Sequence, residues 1–190
     1  MLHAQVKPKS VRQQPSKAMT ELAEVFTSRL VLLRTRTEHW EYHRLLDGDP
    51  EVMRTLGGVR SIAETQDYIA AQAHHWDEHG FGWWTILDRA SHEFAGRGGL
   101  RHIELDDGLE GIEVGYALAP AFWGRGLATE IAKAAMEVGT EALGLDRILG
   151  IALPSNAASR RVLEKAGLLY IAETEYKGFP QVLFEWTRRD

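Results

Sequence analysis

Four groups of residues have types and spacing that chemistry can use. Gly124-Arg125-Gly126 follows Ile112 to Leu118, a run apolar and β-branched enough for a buried strand, which Pro120 stops. From Leu127 onward, Leu127, Ile131, Ala134, Ala135, Val138 and Ala142 recur at helical spacing. Glycines at a strand-to-helix junction let the backbone approach a ligand, and the first amides of the helix have no intrahelical partner. An anion suits that place, because the helix dipole favours it and Arg125 adds a full charge. The second group is Glu113, which interrupts the apolar run and reads as a base or as a strand carboxylate that is solvated or paired with an arginine. Asn156 and Ser159, in the first turn of a later helix, form the third, with Asn156 also suited to a plain N-cap. The fourth is His75-Trp-Asp-Glu-His79, two imidazoles one helical turn apart beside a carboxylate, the His-x-x-Glu-His pattern of inverted zinc proteases. Zinc needs a third protein ligand with support behind it, and the sequence identifies neither. No metal is therefore expected, and a zinc hydrolase through His75 and His79 is the most remote reading.

The elements that must position these groups follow from periodicity and punctuation. Ser28 to Arg34 reads as a strand and Glu38 to Leu46 as a short helix ended by Asp47-Gly-Asp-Pro50. Ser61-Ile-Ala-Glu64 is a capping box opening a second helix, with Ile69, Ala73 and Trp76 on its apolar side and Gly80 beyond its end. Phe81 to Asp88, Glu93 to Glu104 and the run through Leu118 make an antiparallel meander turned at Arg89 to His92 and at Asp106-Asp-Gly108. After the central helix and Gly144 come a strand from Arg147 to Leu153, a helix closed by Gly167, and two strands, Leu168 to Thr174 and Gln181 to Thr187, around Lys177-Gly178.

A chain of 190 residues, 44% hydrophobic and 26% charged, fits one α/β domain with a sound core. Residues 1–27 read as a flexible N-terminal extension and 28–190 as the domain. Lys7, Lys9, Arg12 and Lys17 precede the first acid, Glu21, without an apolar period, and Met19 is an alternative start. The net charge of −5 argues against a general nucleic-acid binder. Having no cysteine excludes disulfides, thiolate metal sites and a cysteine nucleophile. No apolar run approaches a membrane span and no signal-peptide core follows the first residues, so a cytoplasmic protein without membrane contact is expected. A homodimer is compatible with the sequence, which identifies no exposed apolar seam.

Trp123-Gly124-Arg125-Gly126-Leu127-Ala128 resembles the acetyl-coenzyme-A signature Gln/Arg-x-x-Gly-x-Gly/Ala of the Gcn5-related N-acetyltransferase (GNAT) superfamily. Its first position departs from that consensus, but Phe-Trp-Gly-x-Gly-x-Ala-Thr-Glu resembles the ribosomal-protein alanine acetyltransferase, or Rim-type, branch. Ser28 to Arg34, Ile112 to Tyr116 and Pro154 to Leu168 resemble the same branch, in the family's order. The resemblance implies a mixed, mostly antiparallel sheet of six to seven strands flanked by about four helices and splayed at the cofactor strand. It also implies acetyl transfer from acetyl-coenzyme A directly to a primary amine, either a protein N-terminus or a small molecule.

Site residues carried by that resemblance are Trp123 to Thr129 (Trp123, Gly124, Arg125, Gly126, Leu127, Ala128, Thr129) for the diphosphate, main-chain amides of Tyr116 and Leu118 for the pantetheine arm and thioester carbonyl, and Asn156, Ser159 and Arg160 for the rest of the coenzyme. Gly115 would suit a bulge beside them, or simply relieve crowding. Glu113 is the implied base, acting through water. Many relatives place an acidic tyrosine where this chain has Leu163, which leaves Ser159 as the implied acid. Trp40, Trp83, Trp84, Tyr176 and Phe179 are candidate walls of the acceptor pocket, although all would serve equally as core. The missing tyrosine favours one alternative from another class, a non-catalytic acyl-coenzyme-A sensor on the same fold.

Overall fold

The computed structural model describes residues 22–188. In chain order the elements are β1 (Glu24–Phe26), β2 (Leu30–Arg34), a 3-10 turn (Thr37–His39), α1 (Trp40–Asp47), α2 (Pro50–Met53), α3 (Ile62–His79), β3 (Trp83–Asp88), β4 (Phe94–Glu104), β5 (Glu110–Leu118), α4 (Leu127–Glu137), a π-helical turn (Val138–Ala142), β6 (Arg147–Ala152), α5 (Ala157–Lys165), β7 (Leu169–Tyr176) and β8 (Phe179–Thr187). Among the described residues the sheet therefore has eight strands rather than six or seven, and five α-helices accompany it rather than about four. One extra strand, β1, lies inside the stretch expected to be a flexible extension. It pairs antiparallel with β2, Val25 opposite Leu32, and Val25 packs on the core. The basic residues before Glu21 lie outside the described residues.

Local chemistry explains where the elements begin and end. Ser61 and Glu64 exchange the two bonds of a capping box at the start of α3, and Gly80 closes that helix in the left-handed region at φ 75°. Asn156 Oδ1 accepts the Ser159 amide as the cap of α5.

The strand order is β1-β2-β3-β4-β5-β6-β8-β7. Every neighbouring pair is antiparallel except β5 and β6, which are parallel and share a single rung, Glu113 opposite Leu149. Beyond it the two strands part, which is the expected splay. Val114, Tyr116 and Leu118 face one side, in or against the main core with Ile131 and Ala135 of α4, Leu163 of α5 and Phe184 of β8. Burying each large aliphatic side chain there contributes about 1.5–3 kcal/mol. Ala117 on the other side packs with Leu46 and Val52 of α1 and α2 in a smaller cluster. Gly115 makes no bulge, since β4 and β5 keep an unbroken register from Gly96–Leu118 to Glu104–Glu110. A Cβ at Gly115 would lie 2.6 Å from the Trp83 ring, so relief of crowding explains this glycine.

Candidate active site

The turn before α4 has the form an anion site needs. Gly124 and Gly126 both take left-handed backbone, φ 72° and 76°, and Gly126 is the N-cap of α4. A Cβ on Gly124 would meet nothing within 4 Å, so the approach is open. The turn is held from behind by Glu130. Its carboxylate accepts from Thr27 Oγ1 (2.6 Å), Ser28 Oγ (2.9 Å), the Arg29 amide (2.9 Å) and Arg29 Nε (2.7 Å). Burial opposes its charge, but these donors hold its pKa below the ordinary 4.5. Arg29 Nη1 also donates to the Arg125 carbonyl at 2.8 Å. The Arg125 guanidinium itself folds back, 3.6 Å from Asp88 and over the Phe122 ring. Trp123 is exposed, and its Nε1 donates to the Leu118 carbonyl at 2.7 Å, tying the turn to the end of β5.

Strand β5 supplies the next groups. The Ala119 amide bonds to Ala95 of β4, and the Gly115 and Ala117 carbonyls lie against Gly98 and Gly96 of the same strand. By the two-residue period, the main-chain groups of Tyr116 and Leu118 point the other way, toward the gap where β6 has left. Glu113 stands on the last rung before that gap and is 5% exposed. Its Oε2 accepts from Arg101 Nε at 2.8 Å, with Arg101 Nη2 also at 2.8 Å. Arg101 is its direct cross-strand neighbour on β4. The arginine-paired alternative for Glu113 is thus present, while Oε1 takes no hydrogen bond among the described residues.

The first turn of α5 closes the gap from the other side. The Tyr116 phenol donates to the Ser159 carbonyl at 3.0 Å and lies 3.0 Å from Ser159 Oγ. Burial, partly countered by the Ser159 bond and joined by the Glu113 charge, raises the phenol well above its ordinary pKa, so it keeps its proton. Leu163 is fully in the core, against Gly150. Among the described residues Arg160 Nη1 reaches only the Pro154 carbonyl, at 3.4 Å.

Of the acceptor-wall candidates, Trp83 and Tyr176 share the Glu113 side of the sheet, with the Arg101 guanidinium 4.9 Å from the Trp83 ring and 5.9 Å from that of Tyr176. Trp83 Nε1 is buried without a partner among the described residues, an orphan donor in the site wall. Trp84 is a correction: strand alternation turns it into the main core, 1% exposed, with Nε1 donating to the Leu22 carbonyl at 3.0 Å. Trp40 is half-buried at the start of α1 and Phe179 is exposed on β8, and neither stacks on Trp83. Sequence reasoning missed Tyr68, Arg97 and Arg101. The Arg97 guanidinium lies 4.8 Å from the Tyr68 ring and 5.8 Å from Trp83, and bonds the buried Asp47 at 2.6 Å. Two arginines four apart on a strand, both on the face of Glu113, were the available signal.

The open glycine turn, the free amides at the start of α4 and the unpaired edge of β5 together fit an extended ligand with an anionic end. Comparison with known proteins agrees. The model of the "Acetyltransferase (GNAT) domain" matches residues 29–169. An FsC-acetyl coenzyme A-N(2)-transacetylase of Aspergillus fumigatus is 33% identical over 156 residues, which cover 76% of this chain and 64% of that protein, so the chain spans under two thirds of its length. An acetyltransferase structure from Agrobacterium tumefaciens superposes with a TM-score of 0.76 at 22% identity, covering 87% of this chain and 94% of that one. The ribosomal L7/L12 α-N-protein acetyltransferase RimL, solved with coenzyme A, gives 0.69 at 18% identity over 85% and 95%. These two structures speak for the fold alone. The family match covers most of the chain, which belongs to the GNAT acetyltransferase family.

Proposed function

We propose that this protein transfers an acetyl group from acetyl-coenzyme A directly to a primary amine, in a complex holding both substrates. One observation carries the reading. Glu113 on one face of β5, the main-chain amides of Tyr116 and Leu118 on its edge, and the Ser159–Tyr116 hydroxyl pair on the other face flank the gap where β5 parts from β6, beside the glycine turn. Bound there, the coenzyme supplies an activated thioester. The amides from Arg125 to Thr129 receive its diphosphate, and Tyr116 and Leu118 offer backbone donors along its arm, a form of support worth a few kcal/mol in other acyl-transfer sites. Glu113 takes a proton from the amine through water. An α-amine near pKa 7.8 is roughly a tenth neutral at pH 7, so a weak base suffices. Ser159, with the Tyr116 phenol behind it, returns a proton to the departing thiolate.

The acceptor side holds three guanidiniums, Arg60, Arg97 and Arg101, against the two carboxylates Asp47 and Glu113. That balance favours an α-amine attached to an anionic or neutral group, on a protein N-terminus or a small molecule, over a polycation. A cytoplasmic setting, where acetyl-coenzyme A is supplied, belongs to the same reading.

The test is calorimetric titration with acetyl-coenzyme A of the wild type and of Gly126→Glu, whose carboxylate repels the diphosphate, followed by thiol release over a panel of amines. Thermal melting checks the variant, because a side chain in left-handed backbone costs about 1–2 kcal/mol. Binding lost in the variant together with turnover supports the proposal. Binding without turnover on any amine supports a coenzyme sensor, and no binding by the folded wild type overturns both.

A further inference from the structure

The imidazoles of His75 and His79 acquire a third partner in the folded chain. Their ring centroids lie 4.5 Å apart, and His102 of β4 sits 5.2 Å from His75 and 4.2 Å from His79. One ring nitrogen from each of the three falls within 4.8 Å of the others. The nearest pair, His75 Nε2 and His102 Nδ1, is 3.1 Å apart. Two nitrogens bound at 2.0–2.1 Å to a tetrahedral zinc stand about 3.3 Å apart, so this pair already has nearly the separation of two ligands on one ion.

Support behind the ligands is present as well. His75 Nδ1 lies 2.9 Å from the Phe81 carbonyl, which can only accept. The ring proton therefore sits on Nδ1, and Nε2 turns its lone pair toward the cluster, the arrangement by which protein carbonyls orient metal-binding histidines. Glu78 places a carboxylate 3.8 Å from His79 Nε2, close enough to offset an ion's charge or complete its shell.

The fold explains why the three meet. Strand β4 outruns β3, whose first residue, Trp83, is opposite Gly99, so the edge of β4 from Leu100 onward has no β3 partner. The left-handed cap at Gly80 turns Phe81 back beneath the last turn of α3, laying His75 and His79 over that edge. A purely structural account covers only part of this. The His102 amide donates to His75 Nε2 at 3.2 Å, a bond that an ion on the same lone pair would displace, and this gives one imidazole a reason to be there. It gives none for His79, which makes no hydrogen bond among the described residues beyond its ion pair with Glu78.

We propose that His75, His79 and His102 bind a divalent transition ion, zinc being the probe, with water or Glu78 as the fourth ligand. The ion fastens the C-terminal turn of α3 to the free edge of β4. Three neutral imidazoles suit zinc, nickel and copper and disfavour magnesium and calcium. Zinc binding here does not depend on acetyl transfer.

The experiment uses the full chain made without an affinity tag, stripped of metal by a chelator and titrated calorimetrically with zinc chloride. Cobalt(II) absorption provides a second reading of the coordination shell. One zinc per chain is expected, with micromolar or tighter affinity, a zinc-dependent rise in melting temperature and intense tetrahedral cobalt bands. His79→Ala and His102→Gln, both at exposed residues, should each weaken binding by about tenfold or more and abolish the melting shift. His92→Asn, on a distant turn, should change neither. Undiminished zinc binding in the His79→Ala/His102→Gln double variant would overturn the proposal, as would failure of the wild type to bind zinc or to give tetrahedral cobalt bands.

Discussion

The Tyr116 phenol spans the gap between two elements that the sheet has separated: it stands on β5 and reaches both the carbonyl and the Oγ of Ser159 on α5, each at 3.0 Å. The phenol has one proton, which it can give to that carbonyl or turn to the Oγ; when it turns, the serine can pass its own proton outward and recover one from the phenol. The two hydroxyls thus form a short relay. It brings a tyrosine from a strand to Ser159, the proposed acid, whereas many relatives place one on the helix, where Leu163 fills the core.

Removing either end of this relay should have similar effects. Ser159→Ala and Tyr116→Phe are each expected to lower kcat by about tenfold, below the usual general-acid effect because a coenzyme thiolate is already a fair leaving group. The double variant should lose little more, since the two act as a unit. KM for acetyl-coenzyme A should stay within about twofold for Ser159→Ala. Steady-state thiol release on all three variants checks this, and fully additive losses would show that the hydroxyls act separately.

Glu113→Gln tests the base. It keeps the shape and an acceptor for Arg101 but cannot take a proton, so kcat should fall by about 10²–10⁴ while calorimetric affinity for acetyl-coenzyme A is retained. Raising the pH should recover part of the loss, because more of the amine is then neutral without help. If kcat is unchanged, Glu113 serves only as the cross-strand partner of Arg101.

The glycine turn and the order of elements were legible in the sequence because both rest on local signals. Gly124 and Gly126 announce a left-handed turn, Ser61 and Glu64 a capping box, and Gly80 a helix end, and each is found where its residues stand. Strand β1 was not legible: Glu-Val-Phe is too short to show a period, and its pairing with β2 is a tertiary fact. Trp83 and Trp84 looked alike as candidate walls, since only the register of β3 against β4 decides which one faces the site. Arg101 and Asp47 read as an ordinary strand cation and a turn residue. Their partners, Glu113 and Arg97, lie 12 and 50 positions away, beyond any local pattern.

Gly115→Ala should harm catalysis more than folding. The new methyl would lie 2.6 Å from the edge of the Trp83 ring, which must tilt and move the wall beside Arg101 and Glu113. Overpacking of this kind costs about 1–3 kcal/mol. The expected result is a modestly lower denaturant midpoint together with a raised acceptor KM, and acetyl-coenzyme A binding within about twofold of wild type. Pairing the substitution with Trp83→Phe, which shortens the ring, should restore most of the stability; failure to do so would mean that the crowding lies elsewhere.

Asp47 is the stability test. It is fully buried and joins Arg97 (2.6 Å) and Arg60 (2.8 Å), and Arg97 is itself 2% exposed. Asp47→Ala strands the Arg97 charge in the interior and should destabilise the fold by about 3–5 kcal/mol in urea unfolding. Replacing Arg97 by Met at the same time should recover much of that loss, because the penalty comes from the unpaired charge. A double variant no more stable than Asp47→Ala would assign the cost to lost packing.

His43 makes stability depend on pH. Burial, reinforced by the Arg97 charge and then by His39, holds its pKa well below the ordinary 6.5, and its Nε2 bonds Thr85 Oγ1 at 2.9 Å. The folded chain therefore binds fewer protons than the unfolded one once the pH drops under about 6.5. Stability should be fully present above that value and fall as the solution is acidified, by up to about 1.4 kcal/mol per pH unit for each such histidine. His39 is shifted the same way, mainly by burial. Carboxylates with lowered pKa, such as Glu130 and Asp88, stabilise the fold above their ordinary 4.5 and 3.8 and lose that contribution only as the pH falls below those values, so the upper window belongs to histidine. Urea midpoints at about pH 7.5 and about pH 5.5 should separate clearly for the wild type and by less for His43→Gln, which has no proton to gain there while His39, His75 and His102 still do. An equal separation in both proteins would place the pH dependence on the other histidines.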